Sequence, residues 1–275
     1  MFMKKLLLII FIAIILLAFL FFGGMYLRAR QQTKKEEDTV QEVSRIVFHP
    51  TTQEDGENNS LTEIEINTEL STAEPSTEIS SKEEAALHDG YDYEALIAEN
   101  PDCIGWITIP DTSINRPVMW RENDNSYYLN KDVYGNYARH GTPFIDGFCD
   151  PIQGNLIIYG HNTLDYAGFG SLINYTSYEF YRANPNINFY IQKEKCVFEI
   201  FAVCKISAQN DKEYYEYYGL ENEADLQNFL DSACRRSIYD TGICPSVTDR
   251  ILVLSTCEYS QQNGRLVILA REIVE

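Results

Sequence analysis

Three residues whose side chains can perform acyl transfer each lie where an apolar run meets a polar loop. Cys257 ends the run Ile251-Leu-Val-Leu-Ser-Thr-Cys257, Arg265 opens the next apolar run, and His161 follows the run 155–160. Thiol attack on an amide needs a nucleophile, a proton carrier and a donor for the developing oxyanion. The pattern therefore predicts Cys257 as nucleophile, His161 as general acid and base, and Arg265 as the cation that stabilises the oxyanion or the substrate carbonyls.

Each of these residues taken alone has a plainer interpretation. A cysteine that ends an apolar strand is usually a core residue, a histidine after a strand often caps backbone groups, and an arginine usually forms a surface ion pair. Asn162, Ser255 and Thr256 adjoin the three residues and are candidates to orient them, although Ser255 and Thr256 can also simply continue the strand. His140 lies in a polar loop and is expected to be exposed to solvent.

The flanking sequences make the catalytic interpretation specific. Leu254-Ser-Thr-Cys257, Asn263-Gly-Arg265 and Tyr159-Gly-His-Asn162 resemble the cysteine, arginine and histidine motifs of the sortases, the cysteine transpeptidases of Gram-positive cell surfaces. The resemblance covers residues 90–275 and is to class B. The further matches are Gly105-Trp-Ile-Thr-Ile-Pro110, Asn125-Ser-Tyr-Tyr-Leu-Asn130, Gly168-Phe-Gly-Ser-Leu172 and Ser237-Ile-Tyr-Asp-Thr-Gly242.

The resemblance implies an activity and its partners. A class B sortase would cleave a secreted protein after the Thr of a C-terminal Asn-Pro-x-Thr type signal, form a thioester on Cys257, and transfer the acyl group to a peptidoglycan amine. The pocket that reads the signal would be built from the helical insertion 215–240 and neighbouring strands. No cofactor is implied.

Two other classes of function remain open at this point, one catalytic and one not. The same chemistry with another acceptor would give a pilin polymerase that uses a subunit lysine, or a thiol peptidase that uses water. A membrane-tethered domain that only binds ligands would keep Cys257 buried and inert. Alkylation of the folded protein separates this last class, because a buried thiol resists reagent.

The patterning after residue 89 predicts a mostly β domain. Short apolar runs separated by turn residues indicate a barrel of about eight strands, as in the sortase fold. Helical spacing of apolar residues over 223–235 and a short segment over 92–99 add peripheral helices. The predicted strands are 105–109, 114–119, 142–146, 155–159, 187–191, 197–206, 251–256 and 266–270.

The first 35 residues are predicted to be a membrane anchor. Residues 6–27 carry no charge, and as a helix they would span about 33 Å at ~1.5 Å per residue, enough for a bilayer core. A cleaved signal peptide is the alternative, but no small-x-small cleavage site follows. The charge bias around the span would favour a cytoplasmic C-terminal side. The sortase resemblance instead implies a single-pass anchor with an extracytoplasmic catalytic domain.

Residues 36–88 are rich in Glu, Ser, Thr and Asn. This composition predicts a solvated, extended linker that joins the anchor to a catalytic domain over 89–275, with a solvent-facing helix as the alternative. A fragment that starts near His88 would then fold and act by itself.

Charge and cysteine content restrict the function further. The net charge of -19, without a basic patch, argues against nucleic-acid binding. Seven cysteines leave at least one thiol outside any intrachain disulfide, and Cys257 is the candidate. Cys196 and Cys204 are expected on one face of a strand as buried apolar residues, and the sequence predicts no metal site, since no zinc-type spacing occurs. The remaining cysteines, whose pairing is left open, are Cys103, Cys149, Cys234 and Cys244.

Overall fold

The computed structural model describes residues 2–48, 90–163, 168–220, 222–260 and 262–274. Within them, eight strands form one closed barrel. All eight strand runs predicted from the sequence are confirmed, with bounds shifted by one to a few residues. The strands are β1 Cys103–Thr108, β2 Asn115–Met119, β3 Phe144–Ile145, β4 Leu156–Tyr159, β5 Asn186–Ile191, β6 Glu194–Ser207, β7 Ile251–Cys257 and β8 Gly264–Ile273.

The barrel closes in the order β1-β2-β3-β4-β7-β8-β6-β5, with β5 pairing back onto β1. The β2–β3 and β4–β7 pairs are parallel, and the others are antiparallel. Apolar side chains from all eight strands fill the interior, as the alternation of side chains along a strand requires. Closure leaves no free sheet edge, and it brings β4, β7 and β8 side by side.

The two helices predicted over 92–99 and 223–235 are also confirmed, as α2 and α5. The described residues also contain two further short helices and three 3-10 segments. The helices after the first are α2 Tyr93–Glu99, α3 Tyr178–Ala183, α4 Glu213–Glu216 and α5 Glu223–Arg236. The side chains of Asp92 and Asn222 cap α2 and α5 by accepting bonds from Ala95 N and Ala224 N. The 3-10 segments are Tyr127–Asn130, Gly170–Thr176 and Tyr217–Gly219. Helix α5 buries Leu226, Phe229, Leu230 and Ala233 against the outer face of the barrel.

The prediction of an extended linker is wrong for its first twelve residues. Helix α1 runs without interruption over Phe2–Val47, and it is the one helix in the described part of the chain that is long and apolar enough to cross a membrane. Its C-terminal part packs on the barrel, where Val43 and Val47 are fully buried. These valines are four residues apart and so lie on one helical face. The rest of the predicted linker, up to residue 88, lies outside the described residues.

Two further expectations are corrected. His140 is buried, with 6% of its surface exposed, because its ring contacts the Glu36 carboxylate of α1. Cys196 and Cys204 are both buried as predicted, but in different core clusters. A β-bulge between Ile200 and Ala202 reverses the alternation of β6 between them, as an inserted residue does.

All seven cysteines are free thiols in the structure. Burial raises the pKa of Cys103, Cys149 and Cys196 to about 12 and that of Cys204 to about 11, and it also raises the pKa of Cys234. A thiol reacts as its thiolate, so these five are poor nucleophiles. Cys257 is half-buried.

Candidate active site

Cys257 and Arg265 face each other across a hairpin. Cys257 is the last residue of β7, Arg265 is the second residue of β8, and the two are directly opposed in the antiparallel register. Both are half-buried. Opposed residues on one face of an antiparallel pair have side chains about 5 Å apart at their Cβ atoms. The hairpin predicted from the sequence therefore places a thiol beside a permanent cation.

His161 reaches the same end of the barrel from the neighbouring strand. Strands β4 and β7 run parallel with Tyr159 paired to Ser255. Beyond β4 the pairing continues, since Gly160 N donates to Ser255 O at 3.2 Å and Thr256 Oγ1 donates to Gly160 O at 2.8 Å. Extending this register by two residues sets His161 beside Cys257. Cys257 and Arg265 thus lie on adjacent strands, and His161 lies two residues beyond the end of the strand on the other side of β7.

Glycine at position 160 is required by packing. A Cβ atom there would lie 2.5 Å from the ring of Phe169, and that ring is fully buried in the barrel core. The backbone just before His161 therefore lies against the core, which a larger residue would push away.

Asn162 and Thr256 support the arrangement through backbone contacts. The Asn162 side-chain amide donates to the carbonyl oxygen of Cys257 at 2.7 Å, and the Tyr259 hydroxyl donates to Asn162 O at 2.7 Å. Thr256 bridges the two strands through the bond to Gly160 described above. Both side chains hold the histidine and cysteine strands together at the point where the site lies.

The ring of His161 is oriented by the 3-10 segment Tyr127–Asn130. Its Nε2 atom lies 2.8 Å from the backbone oxygen of Leu129. A carbonyl oxygen only accepts, so Nε2 carries the hydrogen in this contact. The other ring nitrogen, Nδ1, is left to exchange a proton with a reacting group.

The side chains of Cys257 and Arg265 form few interactions that a substrate would have to displace. Among the described residues, Cys257 is a free thiol and the Arg265 guanidinium hydrogen-bonds only to the backbone. The guanidinium uses Nη1 to donate to the carbonyl of Gly264 at 2.9 Å. Its remaining donors are available to an acyl group that reaches Cys257.

Sequence reasoning gave Ser255 a supporting role and missed Tyr215 as an individual residue. The hydroxyls of both are buried. They lie close to each other: burial raises the pKa of Tyr215, and the contact with the Ser255 hydroxyl opposes this rise without cancelling it. Tyr215 also stacks on Tyr159 at 6.3 Å between ring centroids.

Glu258, directly after the cysteine, was also not anticipated. It is 6% exposed and binds Lys205 Nζ at 3.3 Å, while Ser260 donates to it through its backbone N and its hydroxyl. Burial opposes its ionisation, but the bonds from Ser260 and Lys205 outweigh burial and lower its pKa. This ionised side chain anchors the loop that begins after Cys257.

Across the described residues, no three His, Cys, Asp or Glu side chains are arranged to hold a metal ion.

Comparison with known proteins agrees with this geometry. The sortase domain family matches residues 107–273. Sortase B of Staphylococcus aureus is 34% identical over 186 residues, which cover 66% of this chain and 74% of the relative. Sortase B of Listeria monocytogenes is 32% identical over 184 residues, covering 64% and 72%.

Solved structures give the same result for the fold. Clostridium perfringens sortase B superposes with a TM-score of 0.63 at 30% identity, covering 66% of this chain and 100% of that one. A Staphylococcus aureus sortase B–substrate complex gives a TM-score of 0.61 at 32% identity, covering 68% and 86%. The chain therefore belongs to the sortase family, within its class B branch of cysteine transpeptidases.

Proposed function

We propose that Cys257, His161 and Arg265 perform the transpeptidation in this chain, on a secreted protein that carries an Asn-Pro-x-Thr type C-terminal signal. The observation that carries the proposal is the register of adjacent strands β4, β7 and β8, which brings His161, just after β4, beside Cys257 and opposes Cys257 to Arg265, with Nε2 of His161 bonded to Leu129 O. Family membership supplies the reaction class, and the residues supply the roles.

The first half-reaction forms a thioester. The Cys257 thiol gives its proton to Nδ1 of His161, and the thiolate attacks the threonine carbonyl carbon, while the free donors of Arg265 stabilise the oxyanion that develops. As the C–N bond breaks, Nδ1 of His161 gives its proton to the departing amine. The products are an acyl thioester on Cys257, neutral His161 and the released C-terminal segment.

The second half-reaction restores the enzyme. A peptidoglycan amine attacks the thioester carbonyl and loses a proton to Nδ1 of His161, and the C–S bond breaks to release the thiolate of Cys257, which takes that proton back from His161. Tyr215, at the beginning of insertion 215–240, contacts Ser255, which lies two residues before Cys257. We therefore expect the beginning of the insertion to contact the signal, whereas its helix α5 packs on the outer face of the barrel.

We also propose that the N-terminal part of α1 is a single-pass anchor that holds the catalytic domain on the extracytoplasmic face. Sortases are cell-surface enzymes, and the uncharged stretch 6–27 falls within α1. A cysteine-labelling experiment on intact cells tests the topology. Membrane-impermeant reagent should reach a cysteine substituted at the exposed residue Asp38, and protection of that residue until lysis would contradict the proposal.

Product analysis tests the reaction itself. The full-length enzyme is incubated with an Asn-Pro-x-Thr peptide alone, with triglycine as the amine, or with a lysine-bearing pilin-type peptide. Amide formation that depends on triglycine supports wall-type transpeptidation. Transfer to the lysine side chain alone would assign pilin polymerisation, and release of the free acid at an undiminished rate in all three reactions would assign a thiol peptidase.

A further inference from the structure

The helix that carries the candidate anchor also contacts the loop that binds His161. Glu36 lies on α1 with 10% of its side chain exposed. Its carboxylate accepts hydrogen bonds from the backbone N of Arg139 at 2.7 Å and of His140 at 3.1 Å, and it also contacts Nδ1 of His140. Gln32, one turn earlier on the helix, donates to the same carboxylate at 2.8 Å. Glu36 therefore holds two consecutive backbone amides and one ring.

The segment 138–142 that Glu36 holds is laddered onto the segment 128–131. Ala138 N donates to Asn130 O at 3.1 Å, and Thr142 N donates to Tyr128 O at 3.1 Å. The Thr142 hydroxyl donates to Lys131 O at 2.9 Å. These bonds lie on both sides of Leu129, so the position of its carbonyl depends on where 138–142 lies.

Gly141 allows the backbone of segment 138–142 to approach the backbone of segment 128–131 closely. Its φ is +60°, and a Cβ atom there would lie 2.5 Å from the carbonyl oxygens of both Leu129 and Tyr128. Only glycine fits this conformation and this approach without strain. The residue after His140 thus packs directly against the carbonyl that receives His161.

The last step is the 2.8 Å bond from His161 Nε2 to Leu129 O. It selects the ring nitrogen that carries the hydrogen and fixes the ring plane, which is how a backbone carbonyl orients a catalytic histidine. Continuous contacts therefore run from Glu36 through 138–142 and Leu129 to His161.

We propose that Glu36 is a positioning residue for His161, so that the C-terminal part of α1 belongs to the catalytic unit. This inference rests on the proposed role of His161. A carboxylate suits the position because it only accepts, and it faces two backbone N–H groups. An amide at the same place has only one accepting oxygen. If this oxygen faces one backbone N–H group, the amide NH₂ group faces the other, and two donors then oppose each other.

The test compares Glu36→Gln with Asp38→Asn in the full-length chain in detergent micelles. Asp38 is an exposed carboxylate on the same helix, so its variant matches the change in charge. Glu36→Gln should lower kcat for peptide cleavage by about tenfold or more, the scale expected for a misplaced catalytic group, with KM within about twofold. Asp38→Asn should match the wild type.

The readout specific to positioning is the tautomer of His161. The chain contains four histidines, and selective ¹⁵N labelling of their rings gives one set of NMR signals for each. The set that disappears in His161→Gln belongs to His161. The wild type should show the Nε2–H form, and Glu36→Gln should show a mixture of tautomers. An unchanged tautomer in Glu36→Gln, with or without loss of kcat, would overturn the proposal.

A variant on the barrel side gives the same test without altering the helix. His140→Gln keeps the two backbone bonds to Glu36 and removes the contact of the His140 ring with its carboxylate, so we expect a smaller change in the same direction in kcat and in the tautomer. No change in either quantity would contradict the proposal. Absence of cleavage by the wild type would refute the proposed function instead, while the tautomer comparison would still decide the role of Glu36.

Discussion

The side chain of Asn162 and the backbone of Cys257 are joined by a 2.7 Å hydrogen bond from the amide Nδ2 to the carbonyl oxygen. It links the segment after the histidine to the end of the cysteine strand, so it acts on the geometry of two candidate catalytic residues at once. Because the bond is made to backbone, the identity of the Cys257 side chain does not affect it.

Asn162→Ala should therefore impair turnover more than folding. A lost neutral hydrogen bond costs about 0.5–1.5 kcal/mol of stability, whereas a small displacement of reacting groups can cost ten- to a hundredfold in rate. We expect kcat to fall by about tenfold in steady-state peptide cleavage. Asn174→Ala, at an exposed position, is the control. A wild-type rate for Asn162→Ala would make the bond purely structural.

Arg265→Ala should cut turnover by about a hundredfold or more, the scale of a lost oxyanion donor. Arg265→Lys should restore only part of the rate, because a point charge lacks the forked donors of the guanidinium. Cleavage of a fluorogenic signal peptide measures both, with the exposed Arg182→Ala as control. Near wild-type turnover by Arg265→Ala would leave the oxyanion to backbone donors.

Truncation tests the contribution of α1 to stability. A fragment that starts at Gln31 removes the apolar span, and one that starts at His88 also removes Val43 and Val47. Each fully buried valine is worth about 1.5–3 kcal/mol, so the shorter fragment should be less stable by about 3 kcal/mol or more. Arg116, which is buried and bonded to Glu37 at 2.6 Å, also loses its partner.

Urea denaturation of the two fragments measures this difference. Equal free energies of unfolding would show that α1 packs on the barrel without stabilising it, and would restore the interpretation of residues 36–47 as a spacer.

Acid should weaken the attachment of α1. Burial opposes ionisation of Glu36, but the bonds from His140, Gln32 and the backbone amides of Arg139 and His140 outweigh it and lower its pKa to about 2 from 4.5. A lowered folded-state pKa contributes stability that is complete above the unfolded value and is lost as pH falls through the folded one. The contribution should therefore decline between about pH 5 and pH 2.

The measurement is the difference in free energy of unfolding between the wild type and Glu36→Gln as a function of pH. We expect the difference to shrink steadily below about pH 5. A constant difference from pH 7 to pH 3 would show that the Glu36 carboxylate is not preferentially ionised in the folded protein.

Much of the barrel is predictable because its determinants are local. Alternating apolar runs bounded by turn residues mark each strand, and the hairpin that opposes Cys257 to Arg265 joins neighbours in sequence. The approach of His161 depends on the parallel β4–β7 pair, whose strands are far apart in the chain. Only the resemblance to sortases indicated that long-range pairing.

The packing of α1, the burial of His140 and the bulge in β6 were not predicted, because they depend on individual contacts and not on average composition or alternation. Residues 36–86 are polar on average, and this average hid the spacing of Val43 and Val47. His140 was expected to be exposed because its partner, Glu36, lies more than a hundred residues away in sequence. The reversal between Cys196 and Cys204 comes from a single bulge, which alternation alone does not reveal.

The central claim is that the acyl group is carried on Cys257, and trapping the intermediate tests it most directly. Wild-type enzyme mixed with an Asn-Pro-x-Thr peptide and quenched in acid should gain the mass of the acyl fragment, and peptide mapping should place it on Cys257. Hydroxylamine should release it as the hydroxamate. Cys257→Ala should show neither adduct nor cleavage while keeping the wild-type circular dichroism spectrum. Turnover by Cys257→Ala, or an acyl adduct on another cysteine, would contradict the account.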